Sequence, residues 1–168
     1  MKKLMLALIF MLSFQNWNAQ KILQLNEMAP EIQAKNILGE DFTLSSQKGK
    51  IVLLDFWATW CAPCVEEQPL LKKFYIKNEQ AVKDGRFEIV GFSLDKSKEN
   101  WKKIIDREGI TWPQISDLQF WKSPVAKIYG INELPYNLVL DSSGKIIAIN
   151  LHGEELETFI ENQLKKEF

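Results

Sequence analysis

The chain contains two cysteines, Cys61 and Cys64, separated by two residues in the stretch Asp55-Phe56-Trp57-Ala58-Thr59-Trp60-Cys61-Ala62-Pro63-Cys64. An apolar run precedes them and a helical pattern follows. That order puts Cys61 at a helix N-terminus, where unsatisfied backbone N–H groups and the helix dipole favour negative charge. A thiol so placed loses its proton more readily and becomes a nucleophile near neutral pH. Cys64, one turn inside the helix, can close a disulfide with it. Such a dithiol suits cycles of oxidation and reduction. A static disulfide is the alternative, although so short a loop gains little chain-entropy stabilisation compared with a long one. A zinc site has less support, because further ligands are lacking and His152 is the single histidine.

Two carboxylates accompany the pair. Asp55 interrupts Ile51-Val52-Leu53-Leu54-Asp55-Phe56-Trp57, a run apolar on both alternating faces. Such a run marks a central strand covered on both sides. A carboxylate inside it is costly unless paired or neutral. Glu67 falls one turn after Cys64, on the same helical face. Its plainer reading is an acid favoured by the dipole at the helix start.

The surrounding elements follow from pattern and punctuation. Ala29-Pro30 opens a segment, Ile32 to Ile37, which Gly39-Glu40-Asp41 turns back into Phe42-Thr43-Leu44 as an N-terminal hairpin. Ser45 to Lys50 reads as a polar loop. Cys64 to about Asn78 reads as a helix, with Val65, Leu71, Phe74 and Tyr75 apolar; Pro63 suits its first turn, and Pro69 should kink it. Phe87 to Leu94 is a second strand. A helix over Glu99 to Glu108 stops at Gly109. Trp112-Pro113 is placed in a connection, and Pro124 to Tyr129 in a short helix. Tyr136 to Leu140 and Lys145 to Ile149 flank Asp141-Ser142-Ser143-Gly144 as a second hairpin. An amphipathic helix, Glu154 to Lys166, closes the chain. The order predicts an α/β protein with a mixed sheet and helices on both faces.

The 168 residues suit one domain and a leader. Met1-Lys2-Lys3 followed by a short apolar run reads as a secretory signal, too short to span a bilayer. Cleavage is expected after Ala19, although Trp17 stands where a small residue is preferred; an uncleaved, anchoring leader is the alternative. The predicted organisation is a signal peptide over 1–19, an extended lead-in over 20–28 and a domain over 29–168. The formal net charge of −1 includes no basic stripe, so nucleic acid is not an expected partner.

The residues Asp55-Phe56-Trp57-Ala58, then Trp60-Cys61, then Pro63-Cys64 resemble the thioredoxin active-site strand and motif. The wider pattern is similar to the TlpA/ResA-like branch of exported thioredoxin-fold reductases. It includes Ala29-Pro30, Gly39, Gly49-Lys50, Glu67, Pro69, Trp112-Pro113, Tyr129-Gly130, Leu134-Pro135 and Leu140-Asp141 with Gly144-Lys145-Ile146. The resemblance runs from about Ala29 to the C-terminus. Two positions depart from it: many branch members carry Asn at Asp55, and many carry Thr where this chain has Tyr136-Asn137.

The resemblance implies a thioredoxin-like fold with an N-terminal hairpin extension, and it implies roles. Cys61 attacks a substrate disulfide and Cys64 resolves the mixed disulfide. Asp55 lies beneath the second cysteine and takes its proton. Glu67 tunes the cysteines. Pro135 is a cis proline facing them. Trp60, Ala62 and Pro63 flank the dithiol, Trp60 shielding one side of Cys61, and Asn137 is a candidate substrate contact. Phe120, Trp112 and Trp121 are read as core or loop packing, and His152 as a surface loop residue.

An exported thiol–disulfide oxidoreductase running as a reductase is the leading reading. It would take electrons from a membrane thiol reductant and pass them to protein disulfides such as those of apocytochrome c. No cofactor or metal is expected, the protein is expected to be a monomer, and membrane contact is expected only if the leader is retained. A peroxide-reducing, peroxiredoxin-like enzyme and a copper carrier using the cysteines with His152 are the alternatives.

Overall fold

The strand β3, Ile51–Trp57, is the axis of the structure, and all of its residues are buried. Its Val/Ile/Leu-rich sequence suits a strand with no solvent face. It lies between β4, Phe87–Ser93, which runs parallel to it, and β6, Tyr136–Leu140, which runs antiparallel. The computed structural model describes residues 23–167; the leader expected over 1–19 lies outside the described residues. Among those residues the sheet has seven strands in the order β2-β1-β5-β4-β3-β6-β7. The remaining strands are β1, Gln33–Asn36; β2, Asp41–Thr43; β5, Gln114–Ser116; and β7, Ile146–Ile149.

Five helices connect and cover the sheet among the described residues: α1, Ala62–Lys77; α2, Glu79–Lys83; α3, Lys98–Glu108; α4, Pro124–Ile128; and α5, Gly153–Glu167. The units β3-α1-β4 and β4-α3-β5 step across the sheet in the same direction. Right-handed crossovers therefore put α1 and α3 on one face. They meet where Lys72 Nζ of α1 donates to the carbonyl of Glu108 at the end of α3, 3.0 Å away. α5 shares that face, with Leu156 opposite Glu67 and Leu71 across a narrow crevice. On the other face Phe56 packs against Phe92 and against Tyr129, which ends α4. The mixed sheet with helices on both faces thus matches the sequence expectation.

Several elements differ from that expectation. The Trp112-Pro113 connection runs directly into β5, which pairs with both β4 and β1. The N-terminal hairpin is therefore built into the main sheet through β5. α1 begins at Ala62, two residues before the expected start, and continues as one helix through Pro69. Part of the polar loop after β2 is a 3-10 turn, Leu44–Gln47. The lead-in is not extended: residues 23–28 turn and stitch to the β6–β7 hairpin. Asn26 N–H donates to the Ile146 carbonyl, Ile146 N–H to that of Glu27, and Ala29 N–H to that of Gly144. Leu23 is buried there.

Candidate active site

Chain direction brings the site together at the C-terminal end of β3. After Trp57 the backbone turns, with Cys61 N–H donating to the Ala58 carbonyl, and enters α1. Asp95, buried just past β4, holds this turn. Its carboxylate accepts from Thr59 N–H and from Thr59 Oγ1, the latter at 2.7 Å, and from Ser93 Oγ. Trp60 Nε1 donates to the Leu94 carbonyl. Beneath the turn, Trp57 Nε1 donates to Gln114 Oε1 at 3.0 Å. Two elements, β4 and the unexpected β5, thereby fix the approach to the motif.

Cys61 is the N-cap of α1, with extended backbone (φ −92°, ψ 99°), and its sulfur accepts from Cys64 N–H at 3.3 Å. Pro63 occupies the first turn, where its missing N–H costs no helical bond. The two cysteines are joined as a disulfide, Cα atoms 5.3 Å apart. Cys61 is 6 % exposed and Cys64 1 %. Cys61, the more exposed residue, is the one at the helix N-terminus, where a thiolate is favoured.

Buried residues of α1 fall in one stripe: Cys64, Gln68, Leu71 and Phe74. Gln68 therefore lies directly below Cys64. Its Nε2 is 3.4 Å from Asp55 Oδ2 and 3.4 Å from the Cys64 carbonyl oxygen. Asp55 is fully enclosed and its pKa is pushed up to about 7. Burial is the main cause and the negative charge of Glu67 adds to it, while the Gln68 hydrogen bond opposes them. A carboxyl poised there can accept or return a proton near neutral pH.

Glu67 lies on α1 as expected, but it is not a freely solvated acid. Its Oε1 is 2.9 Å from His152 Nδ1. The structure thus moves His152 from a plain surface loop residue into the site's surroundings. The Leu134–Pro135 peptide is cis. Tyr136 pairs with Phe56 in the β3–β6 register, so Pro135 stands level with the end of β3 where the motif begins. Asn137, the expected substrate contact, is buried and occupied elsewhere: it pairs with Asp55 in the sheet and bonds the Leu151 backbone.

Trp60 is 45 % exposed and has company. Its ring centroid is 5.0 Å from that of Phe120 and 5.7 Å from that of Trp121. Phe120 and Trp121 were expected to be core or loop packing, and only Trp112 is core. Phe120 and Trp121 lie in a 3-10 turn, Phe120–Lys122, entered through Leu118 and Phe120 at φ +56° and closed by Ser123 Oγ donating to Asp117. Gln68, Asp95 and Gln114 are site residues that sequence reasoning passed over. Only Gln68 carried a local signal, four residues after Cys64 on the helix.

Comparison with known proteins places this geometry. The model of the AhpC/TSA family matches residues 25–149. The thiol-disulfide oxidoreductase ResA of Geobacillus thermodenitrificans is 32 % identical over 138 residues, covering 80 % of this chain and 75 % of that protein. Among solved structures, the thioredoxin domain of a thiol-disulfide oxidoreductase from Bacteroides vulgatus superposes with a TM-score of 0.76 at 34 % identity, covering 84 % of this chain and 99 % of its own. A thiol-disulfide oxidoreductase from Bacteroides fragilis gives 0.72 at 33 %, covering 84 % and 100 %. The expected thioredoxin-like architecture is borne out by these neighbours. With a dithiol capping the helix that follows its central strand, this chain belongs to the AhpC/TSA family and is a thiol–disulfide oxidoreductase.

Proposed function

We propose that the protein is an exported disulfide reductase in which Cys61 attacks and Cys64 resolves. The observation that carries the assignment is the asymmetry of the pair: Cys61 caps α1 and is the more exposed residue, while Cys64 lies inside the helix and is enclosed. The reduced enzyme presents Cys61 as a thiolate, its proton already lost to solvent. Cys61 Sγ forms a bond to one sulfur of the substrate disulfide, and the other substrate sulfur leaves as a thiolate and is protonated. Cys64 then gives its proton to Asp55 and attacks Cys61 Sγ. The Cys61–Cys64 bond forms, the bond to substrate breaks, and two electrons have passed to the substrate. Pro135 lines the approach, and Trp60, Phe120 and Trp121 form an apolar surface for a polypeptide substrate.

In this reading the leader over 1–19 exports the domain across the membrane. A membrane thiol reductant recharges the dithiol, and the substrates are disulfide-containing proteins such as apocytochrome c. The deciding measurement is the redox potential of the Cys61–Cys64 couple, titrated in a thiol–disulfide buffer. A potential near about −270 mV, that of thioredoxin, supports a reductase. A value near about −120 mV, that of strong periplasmic oxidants, reverses the direction. Failure to cycle at all would leave only a structural disulfide. Turnover of peroxide by the same preparation would point instead to the peroxiredoxin-like alternative.

A further inference from the structure

His152 sits where the chain enters α5, far from the motif in sequence, yet its ring is held at both nitrogens. Nδ1 meets Glu67 Oε1 at 2.9 Å and Nε2 meets Asn150 Oδ1 at 3.2 Å. Asn150 adopts φ +54°, a conformation that costs energy outside glycine and persists only where its surroundings enforce it. Asn137 supplies that enforcement. Its carbonyl accepts from Asn150 N–H, its Nδ2 donates to the Leu151 carbonyl at 2.7 Å, and its Oδ1 accepts from Leu151 N–H. Asn137 is also the sheet partner of Asp55. The strand residue beside the buried acid therefore clamps the loop that aims His152 at Glu67, the residue whose charge acts on that acid.

The side-chain accessibilities of Glu67 and His152, 16 % and 38 %, set an order from inside to outside: Asp55, Glu67, His152, solvent. Several acids neighbour the pair in sequence or across the α1–α5 crevice. They are Glu66 beside Glu67 on α1, and Glu154, Glu155 and Glu157 on the opening turns of α5. Among these residues His152 is the one that is not a carboxylic acid, and it is the one whose ring contacts Glu67.

We propose that His152 is a positioning residue for the dithiol reaction: it holds the Glu67 carboxylate, balances its charge beside buried Asp55, and so sets how readily Asp55 takes the proton of Cys64. This rests on the reading that Asp55 is the base for the resolving step. The atoms that react are unchanged. Cys64 loses its proton to Asp55, the Cys61–Cys64 bond forms, and the substrate sulfur leaves.

The two steps separate when reduced protein is mixed with an aromatic disulfide whose thiolate product is coloured. The first equivalent of colour reports attack by Cys61 and the second reports resolution by Cys64. Rates of both are followed against pH in the parent, His152→Ala, His152→Arg and Asp55→Asn. Without His152 the Glu67 charge is uncompensated and Asp55 is harder to ionise. The midpoint of the resolution step in His152→Ala moves to higher pH by about half a unit or more, a slowing of about threefold on the acid side. The first step stays as it was. His152→Arg, with a permanent charge, returns the midpoint to the parent value or below. A resolution midpoint unchanged in both His152 variants overturns the proposal. Asp55→Asn tests the underlying reading separately: if it keeps the parent midpoint, Asp55 is not the base, whatever the His152 variants do.

Discussion

At the scale of single residues the site turns on one enclosed carboxyl. Asp55 has a folded pKa of about 7 against an ordinary 3.8. The folded protein therefore holds a proton that the unfolded chain has already released. Stability falls as pH rises from about 4 to 7, by an amount on the order of 4 kcal/mol once the acid is fully ionised. Asp55→Asn is expected to raise stability by a few kcal/mol at pH 8, and by progressively less down to about pH 4; urea unfolding across that range measures it. The same substitution is expected to slow release of substrate from the mixed disulfide more than it slows the first attack. Equal release rates in mutant and parent would rule out Asp55 as the base. If Cys64 is the resolving thiol, Cys64→Ser accumulates a covalent adduct on Cys61 detectable by intact mass. Asp55 and the cysteines were legible in sequence because each is an anomaly against its local pattern. Glu67 was legible only as a position. Its partner His152 lies 85 residues away and no local rule joins them.

At the scale of elements, the strand missed in the sequence is the one that supports the motif from below. β5 is three residues long and follows a proline, so neither alternation nor length marked it. Its identity comes from pairing with β4 and β1, a tertiary fact. The long strands and helices were legible because burial imposes a period: β3 is buried throughout, and α3 buries Trp101 and Ile105 between the Ser97 cap and Gly109. Gly91 of β4 leaves room for the Gln114 side chain that supports the motif. A Cβ there would lie 2.3 Å from the Gln114 amide nitrogen, and Gln114 is the residue that accepts the Trp57 indole N–H. Gly91→Ala is expected to cost about 1–3 kcal/mol through overpacking. It should also lower the rate of disulfide reduction by freeing Trp57 under the motif. Thermal unfolding and single-turnover rates together check both effects.

At the scale of the whole molecule, the N-terminal stretch and the aromatic surface belong to different tasks. Residues 23–29 are stitched to the second hairpin by three backbone hydrogen bonds. A chain beginning at Pro30 is expected to lose roughly 3 kcal/mol, at about 1 kcal/mol per bond, seen as a fall in Tm of several degrees. Trp60, Phe120 and Trp121 gather on the surface beside Cys61. Trp121→Ala is expected to lower kcat/KM several-fold for protein disulfides and to leave small aromatic disulfides unaffected, since only a polypeptide reaches that far. The sequence reading set Trp60 against Cys61 but left Phe120 and Trp121 as core or loop packing, because residue type alone does not distinguish a buried ring from a displayed one.

The dithiol is the whole cysteine content of the chain, and its two members are neighbours on one helical turn. Four cysteines would allow three intramolecular pairings; two allow one. Under oxidising conditions the chain can thus make no wrong internal crosslink. It can fold with its thiols open or closed, because the bond spans too short a loop to constrain the rest of the chain. A catalyst of disulfide exchange built this way is itself exempt from the mispairing it would encounter in its substrates.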